Sequence, residues 1–139
     1  MNGTLLLSAD SRSTAGVLLL TIVAVEYGGW FMLRVVRGNQ PATPFQAAFF
    51  RAGHAHAGVL VILSLVAQIL ADAANMSGPL AFLARNAIPA AAILMSAGFF
   101  LSAAGRGITR PNRFIVLLYA GIASLALGVV SLGLGLLMA

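Results

Sequence analysis

Four stretches of the chain, residues 14–36, 44–71, 79–104 and 113–138, are almost free of charge. Each exceeds the roughly 20 residues that a helix needs to cross a ~30 Å hydrocarbon core at 1.5 Å per residue. Nothing else in the sequence constrains the fold so strongly. With 139 residues, 60% of them hydrophobic and 8% charged, the chain has too little polar surface to clothe a soluble core. Its mean hydropathy is +1.00. The connections RGNQPAT, DAANMSG and GRGITRPN carry Gly, Pro or Asn breakers. They are short enough to force neighbouring spans antiparallel. The sequence therefore predicts an all-α, integral membrane four-helix bundle, a single transmembrane domain over residues 1–139. Pro44 and Pro79 suit a first helical turn, where a missing N–H costs nothing. Pro89 falls inside the third span and predicts a local kink.

Charge sets the expected orientation. Arg34 and Arg37 flank the first connection and Arg106, Arg110 and Arg113 lie in the third, whereas the second has Asp72 and no base before Arg85. Counting bases places the first and third loops in the cytoplasm and both termini outside, across a bacterial plasma membrane. The net charge of +5 does not indicate nucleic acid, because the arginines are scattered at helix ends and form no stripe. All eight bases are Arg, as a high-GC bacterial genome would give. The absence of cysteine removes disulfides and thiolate metal sites. The opening MNGTLLLSADSR lacks a basic n-region and a long apolar run, so the chain is expected to begin as mature protein. Asn2-Gly3-Thr4 and Asn75-Met76-Ser77 match the glycosylation triplet, a pattern too common to carry weight.

Shifting the chain by 69 residues brings Gly29-Trp30-Phe31-Met32 onto Gly98-Phe99-Phe100-Leu101, Arg37-Gly38 onto Arg106-Gly107, Phe45 onto Phe114 and Phe50 onto Tyr119, without a gap. Two tandem helical hairpin repeats in parallel orientation are expected. At the same offset Glu26 corresponds to Met95, Arg51 to Ala120, His54 to Ala123 and His56 to Leu125. Every intramembrane ionisable group of interest thus belongs to the first hairpin. A scaffold that needed them for packing would have kept something polar in both.

Glu26 and His54 each lie about ten residues from the cytoplasmic ends of their spans, ~15 Å deep and near the midplane. Charges at that depth are rare and usually paired or functional. Glu26 opposite His54 is the expected pair, with Arg51 at i−3 from His54 and Tyr27 beside Glu26 completing a polar cluster. His56 points the other way, since residues i and i+2 are about 200° apart. It faces another helix, a second subunit or lipid. An intramembrane His is also often only an interhelical hydrogen-bonding group, and Arg51 can snorkel to headgroups. Asp72, Arg85 and Asn86 read as anchors near the outer surface, and the dispersed methionines as gap fillers. Gly121, Ser124, Gly128, Ser131 and Gly135 recur at spacings of three and four and form one small-residue seam on the fourth span. That seam closes on another helix of the chain or on a second copy. So thin a bundle favours a homo-oligomer, with the lipid bilayer as the other partner.

The phrases EYGGWFMLRVVRG, GHAHAGVL and GFFLSAAGRGITRPNR resemble a set of small four-span actinobacterial membrane proteins, over most of the chain. The resemblance implies the four-helix architecture and brings no activity with it. The His-x-His pair is also similar, locally, to histidine-bearing helices of the haem-copper oxidase superfamily, where histidines hold haem or copper. Two histidines on one helix cannot make a complete oxidase. The expected function is a metal- or haem-binding site within the bilayer, using His54, His56 and Glu26 toward haem or a divalent metal ion. Proton-coupled transport or conduction through Glu26 and His54 is the alternative. A structural accessory subunit is the third reading. No serine or cysteine nucleophile accompanies the histidines, which disfavours a hydrolase.

Overall fold

A computed structural model describes residues 7–139. The Asn2-Gly3-Thr4 triplet and the first half of the MNGTLLLSADSR segment lie outside the described residues. The chain forms four helices: α1 (Ala9–Val36), α2 (Pro44–Ala73), α3 (Gly78–Ser102) and α4 (Ile115–Leu137). Each is long and apolar enough to cross a membrane, so the all-α, four-helix, multi-pass expectation holds. The largest boundary difference is at α1, which starts at Ala9 where hydropathy placed the span from residue 14. Ser8 caps this earlier turn by accepting from the Ser11 N–H, and Asp10 complements the helix dipole there. Hydropathy marks where a helix enters lipid; capping marks where it begins.

Two sets of polar contacts fix the antiparallel order. At one end Thr43 and Gln46 close a capping box on α2. The Gln46 side chain also donates to the carbonyls of Ala103 and Gly105, at 2.9 and 2.8 Å, while the Thr43 hydroxyl donates to the Ile108 carbonyl. The first and third connections therefore share one side of the bundle, with Arg37 and Arg106. At the other end Asp72 accepts from the Ser8 N–H at 2.9 Å and pairs with Arg85. Up-down-up-down order follows.

The small-residue seam of α4 closes on α3 of the same chain. A Cβ on Gly128 would sit 3.0 Å from the Ile88 backbone nitrogen, and one on Gly121 2.8 Å from that of Met95. Only glycine allows the two backbones so close. Ser124 adds a 2.8 Å hydrogen bond from its hydroxyl to the Ala87 carbonyl, and Gly98 on α3 abuts the Leu118 backbone. Of the two partners open to the seam, the internal one is present. Between these helices and α2 lie two apolar clusters, Ala67, Ala71, Ala84, Ile88 and Leu132, and Leu60, Ala92, Met95 and Leu118. In lipid such association rests on van der Waals fit and interhelical hydrogen bonds.

Helix α3 runs unbroken through Pro89. Proline has no N–H for the carbonyl four residues back, which is that of Arg85. The buried Gln68 of α2 donates to that carbonyl at 2.8 Å. A polar residue deep in α2 thus answers a proline in α3.

Helix α1 stands apart. Only Ser11 and Leu18 of its residues are buried. It leans along α2 and, beyond the polar tie at its Ser11 end, has no comparable contact with α3 or α4.

Candidate functional site

Because α1 packs on α2 and stays away from α3, a groove of about 580 Å³ opens between α1 and α3 over the surface of α2. On α1 its lining runs from Ser13 and Thr14 to Gly28, a helical rise of ~22 Å. The volume is typical of a ligand site, and the groove is elongated along the helix axis. The wall is apolar except for Ser13, Thr14 and Thr21 on α1, Ser96 on α3 and His54 on α2.

His54 closes one end. Its Nδ1 lies 3.2 Å from where a Cβ on Gly28 would stand, and its Nε2 3.5 Å from that of Gly29. The paired glycines make room for an imidazole between α1 and α2, and any larger residue there would displace it. His54 has no hydrogen bond among the described residues, whose polar contacts otherwise include even fully buried side chains. Ser96, one lining turn from Phe100, has a buried hydroxyl oxygen without a partner. The contacts of Gly53 with Phe99 and Phe100 set the α2–α3 register. Ser96 is then ~4 Å farther along the groove than His54. A buried hydroxyl without a partner and a half-buried imidazole without a hydrogen bond among the described residues thus lie toward the same end of the apolar groove.

The expected Glu26, His54 and Arg51 cluster does not form. Glu26 is exposed on α1 and makes no ion pair or hydrogen bond among the described residues. The physical reason is helical phase: Gly28 and Gly29 face α2, so Glu26 lies roughly 60° around α1 from Gly29, on the flank away from the groove. Arg51 is exposed on the corresponding flank of α2. Tyr27 is exposed as well, its ring tilted against Trp30 at 5.4 Å. His56 points toward α3, as the 200° rule required. Its Nδ1 donates to the Ala52 carbonyl at 2.7 Å and its ring packs on Phe99 at 5.0 Å. A carbonyl only accepts, so the proton sits on Nδ1. The hydrogen bond therefore stays within α2, where an interhelical one was expected, and only the ring contact with Phe99 crosses to α3. Among the described residues no three His, Cys, Asp or Glu gather as a metal would need.

The largest polar assembly is one that sequence reasoning reduced to anchors. Arg85 of α3 pairs with Asp72 of α2 and donates to the Ser11 hydroxyl of α1; Ser11 in turn donates to the Gln68 Oε1 at 3.3 Å. Side-chain exposures of 18% for Arg85 and 7% for Asp72 place the pair just inside the bundle. Three helices meet there. The available signal was paired spacing: Gln68 and Asp72 stand four apart on α2, as do Arg85 and Pro89 on α3. This knot pins α1 at one end of the groove, and the Gly28–His54 contact pins it at the other.

Comparison with protein-family models, with curated proteins and with solved structures finds no match.

Proposed function

We propose that this multi-pass membrane protein binds an elongated amphiphile in the α1–α3 groove. Its carbonyl- or hydroxyl-bearing end meets His54 and Ser96, and its apolar tail runs toward Ser13 and Thr14. The observation that carries this is the coincidence of a buried, unpartnered Ser96 hydroxyl and a half-buried His54 imidazole at one end of an elongated apolar groove. His54 and Ser96 can each donate a hydrogen bond, which suits a carbonyl and would satisfy the buried Ser96 hydroxyl. The protein then acts as a carrier, sensor or binding subunit for a membrane-soluble molecule. Positive-inside counting puts the His54 end nearer the cytoplasm and both termini outside, in a bacterial plasma membrane.

Haem is the second reading, because His54 is an imidazole without a hydrogen-bond partner. A bare divalent metal would need ligands beyond this imidazole, from water or another chain. Proton relay from Glu26 to His54 has no supporting contact, since the two groups occupy different flanks of α1.

The test is titration of purified protein in nanodiscs with a decyl-chain benzoquinone and, separately, with haemin. The proposal expects the quinone to raise Tm for wild type, with the shift lost in His54→Ala and reduced in Ser96→Ala. A stoichiometric Soret band that disappears in His54→Ala, with no quinone effect, would establish the haem reading instead.

A further inference from the structure

The chain's whole net charge of +5 lies at one end of the bundle. Arg34 and Arg37 flank the first connection there and Arg106, Arg110 and Arg113 lie in the third, with no acid beside them. At the other end Asp10 and Asp72 balance Arg12 and Arg85, and Glu26 balances Arg51 between the two ends. None of the five arginines makes an ion pair among the described residues.

The third connection is more than a charged tether. Its acceptors are taken up from inside the protein: Gln46 of α2 donates to the Ala103 and Gly105 carbonyls, and Thr43 to that of Ile108. Asn112 clamps the base, donating from its backbone N–H to the Ser102 carbonyl and from its side chain to the Leu101 carbonyl, both at 2.9 Å. Its Oδ1 accepts from the Phe114 N–H. The donors are left over. Among the described residues the backbone N–H groups of residues 105–110 have no acceptor. Gly107, at φ 64°, takes the left-handed conformation that lets such a segment curl, and residues 107–113 line an open concavity. A tied-down loop with occupied carbonyls, open amides and three arginines has the polarity of an anion site. Membrane orientation needs the charges alone. It does not need the loop held in place.

We propose that this loop binds the phosphate headgroup of an anionic phospholipid. Position argues for lipid as the source of the phosphate. The loop joins the last turn of α3 to the first of α4, at the level where the headgroups of a spanned bilayer lie. Arg113 holds its guanidinium 5.4 Å from the ring of Phe114, which is exposed. Cation and apolar surface side by side match a phosphate with acyl chains attached, whereas a free anion uses only the cation.

The test is calorimetric titration of the full-length protein in nonionic detergent with dioctanoyl phosphatidylglycerol, dioctanoyl phosphatidylcholine and inorganic phosphate. Saturable binding of phosphatidylglycerol, about tenfold tighter than phosphatidylcholine and tighter than phosphate, is expected. Arg106→Gln, Arg110→Gln and Arg113→Gln should each weaken it about fivefold, and the triple variant should lose the preference. Thr43→Val leaves the charge unchanged but releases the Ile108 carbonyl, so it should weaken binding severalfold. The Arg34→Gln, Arg37→Gln pair lies outside the loop and should keep the preference. Circular dichroism and size-exclusion check that each variant is folded. The quinone response of the groove should persist in the triple variant, which separates the two sites. A preference that survives the triple variant, or falls equally in the Arg34, Arg37 pair, overturns the proposal. So does a Thr43→Val variant that binds like wild type, which reduces the loop to diffuse charge. Phosphate bound as tightly as phosphatidylglycerol, or no discrimination between the two lipids, also overturns it.

Discussion

The two hairpins have glycines 69 residues apart, Gly29 and Gly98, and use them for different ends. Gly98 of α3 meets the backbone of Leu118, and α3 and α4 close on one another through Gly121 and Gly128. Gly29 of α1, which stands 69 residues earlier, meets the imidazole of His54 instead. At the offsets of Gly121 and Gly128 helix α2 has Ala52 and Val59, so no small-residue seam draws α1 down. The second hairpin spends its glycines on contact; the first leaves a slot with a histidine at its end. The second hairpin is thus closely packed, and the first leaves room beside α1. This difference argues for function more strongly than the presence of the histidines alone.

The contrast can be broken most severely in the second hairpin. Gly128→Leu or Gly98→Leu would force side-chain atoms into the neighbouring helix's backbone. Overpacking of this kind costs about 1–3 kcal/mol, and more where backbone must shift. Loss of folded protein on size-exclusion and a fall in Tm are expected, whereas Gly16→Leu, which faces open space on α1, should leave both unchanged. Next is the three-helix knot. Asp72→Ala leaves Arg85 without its carboxylate and Ser8 without its acceptor, a loss of about 1–3 kcal/mol. Protease access near Ser13, or thiol-reagent access at a Ser13→Cys probe, should rise as α1 loosens, with little change on α4.

A smaller effect sharpens the reason for Gln68. Gln68→Leu strands the Arg85 carbonyl and should destabilise by about 1–2 kcal/mol. Pro89→Ala restores that carbonyl's own helical N–H, so the double variant should lose much less than the sum of the single changes. Full additivity in this double-mutant cycle would show that the two residues are not coupled. The smallest effect is expected at Gly28→Ala. The added Cβ comes 3.2 Å from the His54 Nδ1, so a slight shift of the ring should weaken ligand binding while Tm stays nearly constant. His56→Phe keeps the stacking on Phe99 and should alter neither.

The fold was legible because span length, breakers and loop length all act locally. Four helices, their order and the side on which the arginines gather follow from them. The helical phase between neighbours was not. Glu26 and His54 do stand near one depth, as counting residues from the connections implied. Depth says nothing of azimuth, though, and the glycines next to Glu26 turned it outward. Gly28 and Gly29 were themselves the signal, since a pair of glycines in a span marks what a neighbour approaches. The Gln68–Pro89 partnership was equally present in the sequence. It was invisible because the proline's lost hydrogen bond is repaired from a different helix.

The account rests on His54 and Ser96 serving a ligand and not merely filling a gap. Native mass spectrometry of the protein released from its own membrane tests this most directly. One non-covalent adduct of an amphiphile with a carbonyl or hydroxyl head should appear on wild type and disappear from folded His54→Ala and Ser96→Ala, yet remain on His56→Phe. A bare chain, or an adduct held equally by the His54 and Ser96 variants, would contradict the account.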